Sequence, residues 1–137
     1  MKKFSFNLEK VLTLRKYSED EAKVELGRAI GILAELEFRL RYLAQERFRA
    51  ASEQFSPGNT AAEIQQYTFY LLRLDNTKEQ LLKEAAMAEI AVEKARAVFL
   101  ECSRERKVLD KIREKRQKEH RKFILKEEVK TLDDIRR

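Results

Sequence analysis

The sequence contains very few of the residues that interrupt helices. Its 137 residues include 3 glycines, 1 proline and no tryptophan. A sheet protein of this length would need many turns, and turns depend heavily on glycine and proline. The scarcity of both residues therefore excludes an all-β fold and favours an all-α fold.

Cysteine and long apolar runs are also scarce. Cys102 is the single cysteine, so an internal disulfide is impossible and a reducing compartment is expected. Asn7, Glu9 and Lys10 interrupt any signal-peptide core, and no apolar run approaches the ~20 residues that span a membrane. We therefore predict a soluble, cytoplasmic protein with no direct membrane insertion.

Catalytic motifs are missing as well. The sequence has no glycine loop for phosphate, no cluster with metal-ligand spacing and no serine or cysteine paired with a base. The only histidine, His120, lies among charged residues, which predicts a solvated side chain. We predict a protein that binds other proteins and has no enzymatic activity, cofactor or metal.

The sequence is rich in charge arranged around a heptad pattern. Charged residues make up 39% of the chain and hydrophobic residues 43%. Apolar residues recur at alternating steps of four and three, which is typical of coiled coils. In the first half they are Ala22, Leu26, Ala29, Leu33, Leu36, Leu40 and Leu43, and in the second half they include Ile64, Tyr67, Leu71, Leu74, Leu81, Ala85, Ala88, Val92 and Leu109.

Residues 55–59 are the one strong break in this pattern. Pro57 cannot continue a helix, and Gly58 has the backbone freedom that a turn needs. Thr60 and Glu63 then match a capping box, which begins a second helix. We predict a single coiled-coil domain over residues 1–137, with a helix over about 5–54, a turn over 55–59, a helix over about 60–130 and a frayed tail over 131–137.

A short turn between two long helices makes them antiparallel neighbours. A symmetric turn pairs residue i with about residue 115 minus i, which puts Leu43 near Leu71 and Phe6 near Leu109. Helix 2 then extends beyond helix 1 by about 20 residues at its C-terminal end. The predicted fold is all-α, a long two-helix antiparallel coiled-coil hairpin with an overhanging C-terminal helix.

Positive charge is concentrated in residues 104–122. This segment has 10 Lys or Arg and 4 Asp or Glu, whereas the rest of the chain has 20 basic and 20 acidic residues. The predicted register places the segment on the unpaired overhang, which favours a docking role. A solvated face is the simpler interpretation. A nucleic-acid-binding helix is another alternative, but the interspersed acidic residues and the lack of stacking aromatics argue against it.

Aromatic residues cluster on both sides of the turn. Of 12 Phe and Tyr residues, 7 lie within residues 38–70. An antiparallel helix pair cannot bury so many large side chains, and exposed aromatic patches usually mark interfaces. They form either a binding surface or a wider core near the turn, and the sequence leaves both possibilities open.

The chain opens with Phe4-x-Phe6-x-Leu8-Glu9-Lys10-Val11-Leu12-x-Leu14-Arg15, followed by Glu19-x-Glu21-Ala22. This opening resembles the FliJ family of flagellar type III export proteins, and the length, helix layout and turn position resemble the family over nearly the whole chain. The resemblance implies an antiparallel coiled coil that acts as a central stalk on the hexameric export ATPase. It also implies binding to the linker of the export-gate membrane protein and to export chaperones.

The implied location is cytoplasmic, peripherally associated with the flagellar basal body at the inner membrane. A structural coiled-coil adaptor, for example a homo-oligomer, is the main alternative. The opening motif and the basic segment together give the predicted ATPase-binding residues Phe4, Phe6, Leu8, Val11, Leu12, Arg15, Arg106, Lys107 and Arg113. The aromatic cluster and the family's spacing near the turn give the predicted export-gate-binding residues Phe48, Tyr67, Phe69, Tyr70 and Leu74.

Overall fold

The computed structural model describes residues 3–136, which form two long helices. Helix α1 spans Glu9–Gln54 and helix α2 spans Ala61–Arg136. The structure is 91% helical, and the described residues contain no strand. The two helices pack against each other as a hairpin, so the predicted all-α fold is confirmed.

The turn between the helices has the predicted chemistry. Gly58 has a φ of 95°, in the left-handed region that favours glycine. The Asn59 side chain donates from Nδ2 to the carbonyl oxygens of Glu53 at 2.9 Å and Gln54 at 3.0 Å. These bonds satisfy carbonyl groups that have no partner within α1, so they end that helix.

The capping box at the start of α2 is confirmed. The Glu63 amide donates to the Thr60 hydroxyl at 3.2 Å, and the Thr60 amide donates to the Glu63 carboxylate at 3.4 Å. Each side chain therefore satisfies a backbone donor that the first helical turn leaves without a partner.

Two helix boundaries differ from their predicted positions. Helix α1 begins at Glu9 and not near Ser5, because the chain turns after Phe6, which is buried. The Phe6 carbonyl accepts the Glu9 amide at 3.1 Å. Helix α2 continues through residues 131–136, beyond the predicted end near residue 130, and Arg137 lies outside the described residues.

The register of the helices is shifted by about two turns from the predicted one. Arg47 donates to Asp75 at 2.6 Å, although the predicted register puts Leu40 level with Asp75. Gln54 donates to Thr68 at 2.7 Å and thus links the end of α1 to the second turn of α2. A symmetric turn would give the predicted register, but extended residues rise by up to ~3.3 Å each and helical residues by ~1.5 Å. Residues 55–60 therefore place the first residues of α2 beyond the end of α1, so Gln54 lies level with Thr68 and not with Ala61.

The helices contribute to two compact units. We call Met1–Val24 with Ala97–Arg137 the terminal unit, and Glu25–Arg96 the turn unit. In the turn unit the predicted apolar seam forms the core, where leucines of α1 meet alanines of α2 and allow close approach of the helices. One cluster of this core comprises the buried residues Leu36, Leu81, Ala85 and Ala88, against which Leu33, Leu40 and Leu43 pack.

The terminal unit has a seam that is partly ionic. Leu12 is its most deeply buried large side chain, with 1% exposed. Arg106 occupies a seam position and donates to Glu19 at 2.8 Å and to Asp110 at 2.6 Å. The apolar pattern lapses at these positions because charged side chains pair across the helices there.

Interrupting α2 in the turn unit tests the continuous-helix description. We expect Ala88→Pro to lower the stability of the hairpin by about 3 kcal/mol or more, because proline removes a helical hydrogen bond and clashes with the preceding turn. Circular dichroism during heating measures the change. Ala61→Pro is the matched control, because the first helical position tolerates proline. Equal melting of Ala88→Pro and the parent would contradict a continuous helix through the core.

Candidate functional site

Some of the predicted ATPase-binding residues belong to the core of the terminal unit. Phe6 and Leu12 are buried, with 7% and 1% of their surfaces exposed. Leu8 is half-buried, whereas Val11 has 37% of its surface exposed. Phe6 and Leu12 therefore hold the opening segment against α2, and Val11 is accessible to a partner.

The arginines predicted to lie on an unpaired overhang are engaged within the terminal unit. Phe4 lies 5.6 Å from the His120 ring, so α2 has neighbours at least as far as His120. The prediction that the basic segment is unpaired is therefore wrong up to that residue. The cross-helix ion pairs are Arg15 with Glu105 at 2.7 Å, Arg106 with Glu19 at 2.8 Å and Arg113 with Glu9 at 3.0 Å.

The Arg106 pair is the best shielded of these contacts. The Arg106 side chain is 24% exposed and that of Glu19 is 17% exposed. The hydrogen bond from Arg106 lowers the pKa of the Glu19 carboxyl and more than offsets the opposing effect of its burial. Arg106 therefore holds the helices together and is poorly placed to meet a partner.

Other basic residues of the terminal unit face outward around an open groove on α2. Leu100 and Val108 are about half exposed, at 54% and 53%, and Lys107 is exposed beside them. We call this the basic groove, and its lining residues are Leu100, Ser103, Arg104, Lys107, Val108 and Lys111. Of these, only Lys107 is among the predicted site residues. The spacing of three and four residues from Leu100 to Lys111 was the available signal for the others.

The aromatic residues near the turn divide into exposed and half-buried groups. Phe48 and Phe69 have 77% and 57% of their surfaces exposed. Tyr67 is half-buried, and its hydroxyl donates to Glu53 at 3.3 Å. Leu74 is buried, with 8% exposed, so this predicted site residue belongs to the core. Part of the aromatic cluster is therefore exposed, as a binding surface requires, and another part is packed between the helices, as a wider core requires.

Tyr70 belongs to a small polar network that joins the helices of the turn unit. Its hydroxyl donates to Glu46 at 2.7 Å, and Arg49 also donates to this carboxylate. The bonds from Arg49 and Tyr70 lower the pKa of Glu46 from 4.5 to about 2. The bond to Glu46 and desolvation raise the pKa of Tyr70. The network fixes the tyrosine ring at the surface between the helices.

An open groove runs along the first turns of α2 beside this network. The Arg73 guanidinium lies 5.8 Å from the centre of the Tyr70 ring, within the range of a cation–π contact. We call this the turn groove, and its lining residues are Asn59, Glu63, Gln66, Tyr67, Phe69, Tyr70 and Arg73. Three of the predicted gate-binding residues, Tyr67, Phe69 and Tyr70, are thus brought together.

The chain matches a known protein family. The model of the FliJ family, described as "Flagellar FliJ protein", matches residues 4–137. The chain belongs to the FliJ family. Membership implies a role in flagellar export. Searches among curated proteins and among solved structures gave no match.

The structure adds two observations that bear on the chemistry of this FliJ-family chain. Within residues 3–136, no helix is long and apolar enough to cross a membrane. The same residues contain no group of three or more His, Cys, Asp or Glu side chains that could hold a metal ion.

The Glu46 network makes the stability of the turn unit depend on pH. Because the pKa of Glu46 falls to about 2 on folding, its contribution to stability is present above about pH 4.5 and is lost as the pH falls towards 2. We expect Glu46→Gln to flatten the fall in melting temperature over this range. Tyr70→Phe, which removes the weaker donor, should flatten it less. Identical acid profiles for Glu46→Gln and the parent would contradict this role.

Proposed function

We propose that this FliJ-family protein is a non-enzymatic stalk of the flagellar export apparatus. In this proposal it binds the hexameric export ATPase through the terminal unit, and it binds the linker of the export-gate membrane protein through the turn unit. It also associates with export chaperones and lies at the cytoplasmic side of the basal body. The observation that carries the proposal is the family match over residues 4–137 on a helical hairpin with two separate accessible surfaces.

The basic groove is the proposed contact with the ATPase. Arg104, Lys107 and Lys111 lie one helical turn apart on the exposed side of α2, with Leu100 and Val108 beside them. Apolar contact area with flanking charge suits a protein interface better than charge alone. On α1, Leu14 and Tyr17 add accessible apolar surface, at 65% and 64% exposed. Arg106 and Arg113 support this surface from within through their ion pairs.

The turn groove is the proposed contact with the export-gate linker. Phe69 offers an exposed ring, Tyr67 and Tyr70 are held by hydrogen bonds, and Arg73 adds a positive charge. Side chains that are already held in place lose little conformational entropy on binding. Aromatic and arginine side chains are also the residues that most often dominate the affinity of interfaces.

The mechanism requires no chemistry from this chain. ATP hydrolysis belongs to the partner, and a stalk changes turnover only if it binds some states of the ATPase ring more tightly than others. A charged and apolar surface on a continuous helix can provide such differential contacts. The stalk should therefore act at substoichiometric amounts relative to the ATPase subunits, whereas a passive adaptor should not raise turnover.

The ATPase contact is tested by charge reversal in the basic groove. We expect Arg104→Glu, Lys107→Glu and Lys111→Glu together to weaken ATPase binding by about tenfold or more at low salt, because reversed charges repel the partner and this effect is screened by salt. Binding is measured by calorimetry, and stimulation by phosphate release.

Reversal of three exposed lysines in the turn unit is the matched control: Lys78→Glu, Lys83→Glu and Lys94→Glu make the same change in net charge. This control should bind and stimulate the ATPase like the parent. Equal loss in both triple variants would show a general charge effect and remove the basic groove from the proposed interface.

The gate contact is tested by truncation in the turn groove. We expect Phe69→Ala to weaken binding to the gate linker by about 2 kcal/mol, as for a central interface aromatic. Its effect on stability should stay within about 0.5 kcal/mol because the ring is exposed. ATPase stimulation should be unchanged. Binding is measured by calorimetry with the purified linker.

Leu74→Ala is the contrasting variant for this test. The leucine is buried, so its truncation should cost about 2–5 kcal/mol of stability. The fraction that stays folded should still bind the gate linker. If Phe69→Ala destabilises the hairpin as much as Leu74→Ala and the gate linker still binds, the aromatic groove is part of the core and is not the interface.

A further inference from the structure

The last four to five turns of α2 have a surface that the sequence pattern did not reveal. We call residues 121–136 the terminal overhang, because Phe4 lies against His120 and the helix continues to Arg136. All of its side chains are exposed except that of Ile124, which is half-buried. The exposed apolar residues are Phe123, Leu125, Val129, Leu132 and Ile135, at 55%, 60%, 55%, 59% and 75%.

Four of these apolar residues share one face of the helix. At about 100° per residue, Leu125, Val129, Leu132 and Ile135 fall within an arc of about 120°. Phe123 projects from the opposite side. The steps of four and three from Leu125 to Leu132 repeat the seam spacing that pairs α1 with α2 in the turn unit. The overhang thus carries a short seam of three such positions, and Arg136 occupies the next one.

Charge along one edge of this seam changes sign. Lys122 and Lys126 lie on the same edge as Asp133, with the basic residues first and the acidic residue about two turns later. In an antiparallel pair of identical helices, the same edge of each helix meets across the interface. Lys126 of one copy then lies beside Asp133 of the other, and the reciprocal pair forms at the same time.

We propose that the terminal overhang binds the overhang of a second copy of this chain as a short antiparallel coiled coil. Val129 and Leu132 of one copy pack against Leu132 and Val129 of the second copy, and Lys126 pairs with Asp133 on each side. A parallel pair would instead bring opposite edges of the two helices together, with Lys126 beside Arg121 and Asp133 beside Glu128, which are both like-charge pairs. The two-fold symmetry satisfies both the apolar seam and the charges.

This self-association is separate from the proposed export function, because neither the basic groove nor the turn groove takes part. The overhang is about 24 Å long, so the contact lies at the small end of protein interfaces. The expected dimer is therefore weak and depends on concentration. Pairing also covers apolar side chains that would otherwise face water in the free protein.

The first test compares two apolar residues of similar exposure on opposite faces. Sedimentation velocity of the full chain, from about 10 µM to about 500 µM, should show a monomer–dimer equilibrium in the parent. Leu132→Glu should abolish the dimer, and Phe123→Glu should leave it intact. A parent that stays monomeric throughout, or equal effects of the two variants, would overturn the proposal.

The second test uses the reciprocal charges and fixes the orientation. Lys126→Glu alone and Asp133→Lys alone should each weaken the dimer by about three- to tenfold, because each homodimer then holds two like-charge pairs. An equimolar mixture of the two variants should regain dimerisation, since the mixed dimer contains only opposite-charge pairs. Asp134→Lys, on the opposite face, should leave the dimer intact and should not rescue Lys126→Glu. Failure of the mixture to regain the dimer would overturn the antiparallel arrangement.

Discussion

The register between α1 and α2 is the constraint on which the other features depend. It puts leucines of α1 opposite alanines of α2 in the turn unit, and it pairs Arg106 with Glu19 in the terminal unit. A slip of one turn would place charged side chains against the apolar core and leave the partly buried ion pair unmatched, and both changes are costly. The capped turn and the bonds of Gln54 to α2 help to fix this register near its start.

This register also divides the charged residues into two kinds. Some arginines of the basic segment face α1 and are neutralised by acidic partners, whereas lysines one position away face solvent. Arg106 and Lys107 are adjacent in sequence, yet the first belongs to an internal ion pair and the second lines the basic groove. A count of charge along the chain therefore overstates how much of it is available to a partner.

The register also separates the aromatic residues near the turn into half-buried and exposed ones. Tyr70 lies at the boundary between the helices, where its ring is half-buried and its hydroxyl meets Glu46. Phe69, the preceding residue, points about a quarter of a turn away and is exposed. The same short stretch of α2 thus stabilises the hairpin and presents a surface, and the two roles can be separated by single substitutions.

The sequence by itself determined the helices, the turn and its caps, because these depend on local chemistry: few helix breakers, Gly58 at a left-handed position, and the Thr60–Glu63 box. Family membership was also readable from the opening motif. Only the tertiary structure decided the register, and with it the burial of Phe6 and the internal pairing of Arg106 with Glu19. The reason is that heptad patterns repeat every seven residues, so several alignments of the two seams look equivalent until extended turn residues and specific cross-helix contacts select one.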